Sequence, residues 1–447
     1  MPEIITRFAP SPTGMLHIGN VRTALINYLY TKKHNGKFIL RIDNTDLQRS
    51  KQGFEKAIKE DLKRLSIIWD DTFDQMSKLE KYELIKNQLI ESGRLYPCYE
   101  TPEELEIKRK LQLSNGKPPI YDRAALKLTK EQKDAYEKSG RKPHYRFLIN
   151  EEDIIWQDLI KGTIKYQGSK LSDPIIIRAD KSMTYMLCST IDDIDAKITH
   201  VIRGEDHVSN TAIQIQLFQA LGALKIPQFA HLSLIKTKDS KISKRDGGYD
   251  IRSIIDNNGI LPMAINSFLA LIGTSKNVQA YKNMNDLTKD FDIKTFSTSP
   301  TTYSLEELEH INHKLVMNLD YDEVKIELKK YGNIEISEDF WLAVRANIKK
   351  LSEVKDWYDI CNSHKITEEE LNKNVLRSAT ENLPTQIDGT TWKKWTSDIA
   401  QSTGIKGKEM FMTLRLAITG LTSGPELKNL LPLLARNEII KRLNKFL

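Results

Sequence analysis

Residues 7–29, RFAPSPTGMLHIGNVRTALINYL, decide the fold of this chain. Two prolines and a glycine form a loop that runs into His17, and a helical apolar periodicity then covers Ile18–Lys33. Strand-like residues 3–8 precede the loop, and the apolar run KFILRI at 37–42 follows the helix. Strand, helix and strand in this order form a βαβ unit. We therefore predict that the loop lies at the carboxyl edge of a parallel sheet.

A helix N-terminus at such an edge can bind an anion. Its N–H groups lack intrahelical partners and carry about half a positive charge, so His17, Gly19 and Asn20 are placed to meet a phosphate. The alternative is a capped turn with an incidental histidine. For an isolated His-x-Gly match, that alternative is the better explanation.

A second basic motif follows a late β signal, in the stretch DSKISKRDGG at residues 239–248. Its lysines, Lys241 and Lys244, are three residues apart in a loop rich in glycine and aspartate. Such a loop can neutralise a transferring phosphate and open again to release pyrophosphate. A solvated basic loop is the alternative, and it is the better explanation for any single loop of this kind.

Composition limits the class of protein. The 447 residues predict two to four domains, and 40% hydrophobic with 28% charged residues are typical of a folded globular chain. We find no apolar run long enough to span a membrane and no basic, apolar leader, so we expect a cytoplasmic protein. The net charge of +7 is compatible with a polyanionic partner. The widely separated cysteines, Cys98, Cys188 and Cys361, argue against disulfides and a cysteine-built zinc site.

The domain pattern changes twice along the chain. Residues 95–177 interrupt the α/β alternation with a helix opened by a capping box at residues 101–104 and with short strands, which indicates an insertion. Alternation resumes at THVIRG, residues 199–204. From Asp250 onward the periodicity is helical, with a loop predicted at residues 297–304.

The two basic motifs together resemble the paired signature of class I aminoacyl-tRNA synthetases. Residues 7–25, 201–214, 241–247 and 407–427 are similar to bacterial glutamyl-tRNA synthetases. The resemblance implies an α/β fold: a Rossmann-type catalytic domain with an inserted acceptor-stem domain, followed by an all-α anticodon-binding domain. The expected boundaries are 1–94 and 181–249 for the two catalytic halves, 95–180 for the insertion, 250–309 for a stem-contact region and 310–447 for the anticodon-binding domain.

The resemblance also implies roles for individual residues. The catalytic residues are His17, Lys241 and Lys244. ATP is expected to bind His17, Gly19, Asn20, Asp206, Lys241, Ser243 and Lys244. Glutamate is expected to bind Arg7, Ser11, Asp43, Tyr185, Ser189 and Arg203. Of these, Arg7, Tyr185 and Arg203 are expected to bind its side-chain carboxylate. The signature motifs comprise Pro10, Ser11, Gly14, His17, Ile18, Gly19 and Asn20, and then Lys241, Ile242, Ser243, Lys244 and Arg245.

Three positions depart from the family pattern. Asp43 stands where a glutamate is usual, one methylene short of the substrate ammonium, so its contact would pass through a water. Ser189 stands where an asparagine is common. Some relatives carry a zinc cluster in the insertion, but Cys98 has no nearby cysteine or histidine to complete four ligands, and we predict no zinc.

The implied activity is that of a monomeric ligase that activates L-glutamate with ATP and Mg²⁺ and transfers it to the 3′ end of tRNA-Glu. The segment 347–360 contains Lys349 and Lys350 but no arginine, where strictly discriminating relatives place one against the anticodon. A lysine is a point charge without the bidentate fork that reads a base. We therefore hypothesise that tRNA-Gln is also charged, although these lysines could equally lie on a solvated helix face.

Other functions stay open at this point. A synthetase paralogue dedicated to tRNA-Gln and a catalytically impaired paralogue that only binds tRNA share these motifs. A shorter relative that glutamylates a tRNA base is disfavoured by the helical module after residue 310. A dinucleotide-dependent Rossmann enzyme is disfavoured because no G-x-G-x-x-G follows the first strand.

Overall fold

A parallel and a mixed sheet meet in the N-terminal part of the computed structural model, which describes residues 3–46, 50–237, 249–331, 335–363 and 370–447. The strands are β1 (Ile5–Phe8), β2 (Lys37–Ile42), β3 (Asp71–Asp74), β4 (Leu95–Cys98), β5 (His144–Phe147), β6 (Asp153–Asp158), β7 (Gly162–Gln167), β8 (Ile175–Ile177), β9 (His200–Gly204), β10 (Gln228–Leu232), β11 (Ile235–Thr237) and β12 (Thr301–Tyr303). The first sheet has the order β1-β2-β3, and the second has the order β7-β6-β10-β9.

Helices follow the strands in the N-terminal part and dominate the C-terminal part. They are α1 (Ile18–Lys33), α2 (Gln52–Arg64), α3 (Leu79–Glu91), α4 (Pro102–Ser114), α5 (Lys130–Lys138), α6 (Tyr185–Asp195), α7 (Val208–Ala220), α8 (Pro262–Leu271), α9 (Met284–Asp290), α10 (Leu305–Asn318), α11 (Tyr321–Leu328), α12 (Glu338–Val344), α13 (Val354–Asn362), α14 (Lys373–Glu381), α15 (Thr391–Thr403), α16 (Lys408–Thr419), α17 (Leu427–Leu430) and α18 (Arg436–Asn444). Short 3-10 helices occur at Met76–Lys78, Ala124–Lys127, Gly168–Lys170, Glu205–His207, Ile293–Thr295, Arg345–Asn347, Leu351–Glu353 and Leu431–Leu433, and a π-helical turn occurs at Ser253–Asn257.

The predicted βαβ unit is confirmed, and it positions the loop at residues 9–17. Strands β1 and β2 pair in parallel, with Ile5 opposite Lys37, and α1 has the predicted bounds. The helix buries Val21, Leu25 and Leu29 completely, which places its apolar stripe against the sheet. The loop therefore leaves β1 at its carboxyl end.

The strand order reverses beside β1. Thr199, just before β9, donates its backbone N–H to the Ile5 carbonyl at 2.9 Å, and its hydroxyl accepts from the Ile5 N–H at 2.8 Å. The first sheet runs away from β1 through β2 and β3, while the second runs the other way through β9, β10 and β6. Such a reversal opens a crevice at the carboxyl ends of the strands, where open α/β sheets bind ligands.

A separate antiparallel sheet, β4-β5-β8, forms the core of the predicted insertion. The predicted capping box is confirmed: Thr101 accepts from the Glu104 N–H at 3.3 Å and donates its own N–H to the Glu104 carboxylate at 2.8 Å. Buried Asp173 accepts from the Tyr96 hydroxyl at 2.7 Å and from the Arg123 guanidinium at 2.9 Å. Polar contacts as well as apolar packing thus hold this sheet to its connecting segments.

The chain divides into two compact units. The first comprises Met1–Ile254, Asn266–Gln279 and Asn283–Ser304, and the second comprises Ile255–Ile265, Ala280–Lys282 and Leu305–Leu447. Within the second unit, the described secondary structure is helical from α10 to α18. Buried indoles there donate to carbonyls, from Trp341 to Leu319 at 3.0 Å and from Trp395 to Ala379 at 2.9 Å.

One predicted loop is wrong in part. Residues 297–304 contain β12, which pairs in parallel with β11. A three-residue strand is too short to produce a period in the sequence, and its partner is far away along the chain. Within the described residues, no helix is both long enough and apolar enough to cross a bilayer.

Candidate active site

A cavity of about 570 Å³ opens at the crevice between β1 and β9. Most residues that the sequence predicts for the site line this one cavity: Arg7, Pro10, Ser11, Gly14, His17, Gly19, Asn20, Asp43, Tyr185, Arg203 and Asp206. They come from the ends of β1, β2 and β9, from the start of α1 and α6, and from a 3-10 turn. The fold thus brings together residues that are separated by up to 199 positions in the sequence.

His17 is the N-cap of α1. Its Nδ1 accepts hydrogen bonds from the backbone N–H groups of Gly19 and Asn20, at 3.1 and 3.4 Å. Because Nδ1 accepts, the neutral ring carries its proton on Nε2, where it is a donor. A side chain on Gly19 would lie 3.1 Å from the His17 ring, so the glycine makes room for the imidazole. The capped turn therefore occupies the two N–H groups that the anion interpretation would use, and it leaves the helix dipole and the His17 ring to face an anion.

The lysine motif lies outside the described residues. Lys241, Ile242, Ser243, Lys244 and Arg245 all fall in residues 238–248.

The chain that follows this motif returns to the first motif. The Ile18 N–H donates to the Tyr249 carbonyl at 3.2 Å, and the Ile251 N–H donates to the Leu16 carbonyl at 3.1 Å. Tyr249 and Ile251 are therefore bound to the turn that begins α1.

Arg203 meets only neutral hydrogen-bond partners among the described residues. Its Nη1 donates to the Tyr185 hydroxyl at 3.1 Å, and its Nη2 donates to the Thr211 hydroxyl at 2.7 Å. Weaker contacts of 3.4 Å run from Nη2 to the His207 carbonyl and from Nε to His231. Burial lowers the pKa of Arg203, and Tyr185 opposes this shift. A guanidinium nevertheless stays protonated in proteins, so Arg203 supplies an uncompensated positive charge.

Arg7, in contrast, is already paired. Its Nε and Nη2 donate to both oxygens of Asp193, at 3.0 and 3.3 Å. Asp193 also accepts from Arg41 at 2.8 Å, and Arg41 holds both oxygens of Asp43 at 2.6 and 3.1 Å. Asp192 also lies 3.7 Å from Arg41, so buried carboxylates already meet the charges of both guanidinium groups. Asp193 belongs to α6, far from Arg7 in the sequence, so no local pattern predicts this pair.

Two predicted residues lie behind the cavity wall. Ser189 is fully buried, and its hydroxyl accepts from the Gln214 amide at 2.9 Å. Ile18 is also buried and packs in the first turn of α1. Among the described residues, neither side chain belongs to the cavity lining. The predicted contact of Ser189 with glutamate is therefore not direct in this arrangement.

Sequence reasoning missed the residues behind the wall. Asp193 and Thr211 hold the two arginines, and Asp158 and His231 lie behind Thr211. The sequence did carry a signal for Asp193, since the run IDDID puts carboxylates into an apolar helix. His231 stands in an apolar strand and carries no such pattern.

Comparisons with known proteins identify the family. A family model described as "tRNA synthetases class I (E and Q), catalytic domain" matches residues 3–310, and one described as "Anticodon binding domain" matches residues 327–447. The chain is 59% identical over 445 residues to "Glutamate--tRNA ligase 2" of Rickettsia canadensis, covering 99% of this chain and 100% of that protein. It is also 59% identical to "Glutamate--tRNA ligase 1" of Rickettsia felis, covering 99% of both. The chain belongs to the glutamate–tRNA ligase family of class I synthetases.

Solved structures agree with this assignment. A glutamate tRNA ligase from Elizabethkingia meningosepticum, solved in complex with its amino acid, has a TM-score of 0.84 at 26% identity. The glutamate-tRNA synthetase from Elizabethkingia anophelis has a TM-score of 0.85 at 27% identity. Each comparison covers 99% of both chains. The predicted class I fold, with a helical anticodon-binding domain, is confirmed.

The part of this ligase matched to the anticodon-binding model contains a second cavity, of about 350 Å³. It is lined by Trp392, Phe411, Arg415, Glu426, Leu427 and Lys428. The two aromatic rings lie 5.7 Å apart, and Phe411 is 44% exposed. Arg415 donates from Nη2 to the Pro425 carbonyl at 2.9 Å, while its buried Nη1 has no partner among the described residues. Aromatic faces beside a guanidinium suit a nucleic acid base.

The insertion of this family member keeps Cys98 as a neutral thiol. Burial raises the pKa of Cys98 to about 12, and zinc binds the thiolate. Among the described residues, no three or more histidine, cysteine, aspartate or glutamate side chains are grouped so that they could hold a metal ion. The absence of a structural zinc stays a prediction.

Proposed function

We propose that this ligase activates L-glutamate with ATP at the β1–β9 cavity and transfers the glutamyl group to the 3′ end of tRNA-Glu. One observation carries the assignment of the amino acid. Arg203 Nη1 and the Tyr185 hydroxyl are 3.1 Å apart, and each keeps one hydrogen without an acceptor among the described residues. Two adjacent donors at this spacing match the two oxygens of a carboxylate.

The rest of the amino acid has partners in the same cavity. Arg7 keeps its Nη1 hydrogens for the side-chain carboxylate, although Asp193 already balances its charge. Ser11 and Asp43 are proposed to hold the substrate ammonium. Asp43 is 6% exposed and bound to Arg41, so its contact through a water fits its position better than a direct one.

ATP fits the opposite side of the cavity. The positive end of the α1 dipole faces the lining at Gly19 and Asn20 and suits a phosphate, and His17 adds its Nε2–H donor. The exposed carboxylate of Asp206 is proposed for the ATP site. Outside the described residues, Lys241 and Lys244 are proposed to neutralise the phosphates, which Mg²⁺ accompanies, and Ser243 is proposed to bind there too. These residues position and neutralise the phosphates while the substrate α-carboxylate attacks the α-phosphorus.

The choice of tRNA is the finer part of the proposal. We propose that tRNA-Gln is charged as well as tRNA-Glu, because Lys349 and Lys350 offer point charges and no arginine fork. Both lysines lie in a bend before Leu351–Glu353 and not on a helix. Lys349 is exposed, so a phosphate can reach it. The enzyme is proposed to work as a cytoplasmic monomer.

Glutamate recognition is tested by ATP–pyrophosphate exchange with tRNA present. Arg203→Ala should lower kcat/KM for glutamate by several orders of magnitude and lose the preference for glutamate over glutamine, because it removes the uncompensated cation. Exposed Arg178 provides the control, and Arg178→Ala should keep the preference. Retained selectivity in Arg203→Ala would show that the carboxylate binds elsewhere.

The tRNA proposal is tested by aminoacylation with labelled glutamate. Purified tRNA-Glu and tRNA-Gln, as transcripts and as native molecules, should give kcat/KM values of the same order. A strong preference for tRNA-Glu would refute the dual specificity and leave the synthetase assignment intact. Efficient charging of tRNA-Gln alone would instead favour the dedicated paralogue.

A further inference from the structure

A buried chain of hydrogen bonds stands behind Arg203. His231 Nδ1 and Asp158 Oδ2 are 2.5 Å apart, and both side chains are completely buried. On the other side of the ring, His231 Nε2 is 2.9 Å from the Thr211 hydroxyl. That hydroxyl in turn accepts from Arg203 Nη2 at 2.7 Å.

The strand register creates this alignment. His231 in β10 lies directly opposite Arg203 in β9, and Phe229, two residues earlier in β10, lies opposite Asp158 in β6. Parallel neighbours in register point their side chains to the same face of the sheet. Asp158 is itself held by the backbone N–H groups of Ile160 and Lys161, each at 3.0 Å.

The shorter contacts define one protonation pattern. The Thr211 hydroxyl has one hydrogen to donate, and it lies 2.9 Å from His231 Nε2 but 3.3 Å from the His207 carbonyl. The carboxylate of Asp158 accepts, so Nδ1 of His231 must donate. Two donors, the Thr211 O–H and the Arg203 Nε–H, then converge on Nε2, which can accept only if the imidazole is neutral. Burial lowers the pKa of His231, which favours the same neutral form. Burial alone would raise the pKa of Asp158, but the hydrogen bond from His231 brings it below its ordinary value.

We propose that Asp158, His231 and Thr211 are positioning residues that set the orientation of the Arg203 guanidinium for the substrate carboxylate. These three residues form a relay that accepts hydrogen bonds from Nε and Nη2 of Arg203 and leaves Nη1 to Tyr185 and the ligand. The relay groups that touch Arg203, the Thr211 hydroxyl and the His231 imidazole, are neutral, and the Asp158 carboxylate lies behind them. Asp193, in contrast, contacts Arg7 directly. This inference rests on the proposed function, since it concerns how the same carboxylate is bound.

The decisive comparison is Thr211→Val against Thr211→Ser. Valine has nearly the volume of threonine but lacks the hydroxyl, so it removes the hydrogen bonds to Arg203 and His231. Serine keeps the hydroxyl. In exchange assays with tRNA, Thr211→Val should raise KM for glutamate at least about tenfold, because a misplaced recognition group weakens binding. It should leave KM for ATP within about twofold, and the serine variant should restore KM for glutamate. An unchanged KM for glutamate in Thr211→Val, or equal loss for both substrates, would overturn the proposal.

A second measurement reads the protonation state of His231 in the wild-type protein. Side-chain nitrogen-15 spectra of histidine-labelled wild-type protein should show His231 as the neutral Nδ1–H form at pH 7, assigned by its loss in His231→Gln. A protonated ring, or the Nε2–H form, would overturn the relay. If the wild-type protein fails to activate glutamate, the proposed function is wrong. If the wild-type protein is active and Thr211→Val has the same KM for glutamate, only the relay is wrong.

Discussion

Arg7 and Arg203 are the same residue type in one cavity, but their surroundings give them different roles. Arg7 is held by Asp193, which also binds Arg41, so its charge is balanced before a ligand arrives. Arg203 meets hydroxyls, a carbonyl and a neutral imidazole. A buried, unbalanced guanidinium gains most from an incoming carboxylate. We therefore expect selectivity for an acidic side chain to depend chiefly on Arg203.

At His17, capping and catalysis can be separated by mutation. His17→Asn keeps an N-cap acceptor for α1 but loses the Nε2–H donor, so it should unfold at the wild-type temperature. Its rate of glutamate activation should fall about a hundredfold, equivalent to about 3 kcal/mol of barrier. Thermal unfolding and pyrophosphate exchange measure the two effects. His17→Ala should lose both the cap and the donor, so it should unfold at a lower temperature and also activate glutamate more slowly. A wild-type rate in His17→Asn would contradict the catalytic role.

Among the elements, the junction between α1 and β2 depends on Gly36. A side chain there would lie 2.1 Å from the Ile4 carbonyl oxygen, which is backbone and cannot swing away. Gly36→Ala should therefore lower the free energy of unfolding by about 2 kcal/mol, measured by urea denaturation. Gly53 in α2 has open space around it, so Gly53→Ala should be neutral or stabilising. Equal effects at both glycines would refute the steric argument.

The insertion sheet contains a pH-sensitive histidine in β5. His144 is 7% exposed, and burial together with Arg146 lowers its pKa to about 4. Between pH 6.5 and 4 the unfolded chain binds a proton that the folded chain excludes, so stability falls as the pH falls through this window. The loss from this residue is at most about 3 kcal/mol.

The measurement compares urea midpoints at pH 7 and pH 4.5. His144→Gln cannot titrate, so its stability should fall less between these pH values than that of the wild-type protein. His310→Gln, at an exposed position in α10, should follow the wild-type protein. Parallel losses for wild type and His144→Gln would show that His144 does not contribute.

At the scale of the whole molecule, the net charge of +7 and the anticodon-binding unit predict a salt-sensitive encounter with tRNA. Each phosphate neutralised by lysine or arginine releases counterions, so affinity falls steeply with salt. Between 50 and 200 mM salt, KM for tRNA should rise by at least about tenfold, and KM for glutamate at saturating tRNA by less than about twofold. Equal changes for both substrates would argue against an electrostatic interface.

Local patterns in the sequence determined a large part of this protein. The bounds of α1, the capping box at Thr101 and the α/β character of the first 42 residues follow from periodicity and cap residues, which act between near neighbours. The motifs also predicted most of the cavity lining, because ligand contacts come from the ends of strands and the starts of helices. The family follows from the same motifs.

The tertiary structure alone decided how the charges pair. Asp193 reaches Arg7 from 186 residues away, and His231 reaches Asp158 from 73 residues away, so no local pattern links them. The same holds for β12, which exists because β11 pairs with it, and for Ser189, which is buried against Gln214. Sequence periodicity reports which side of an element is buried, but the partner of a buried polar group depends on which elements become neighbours.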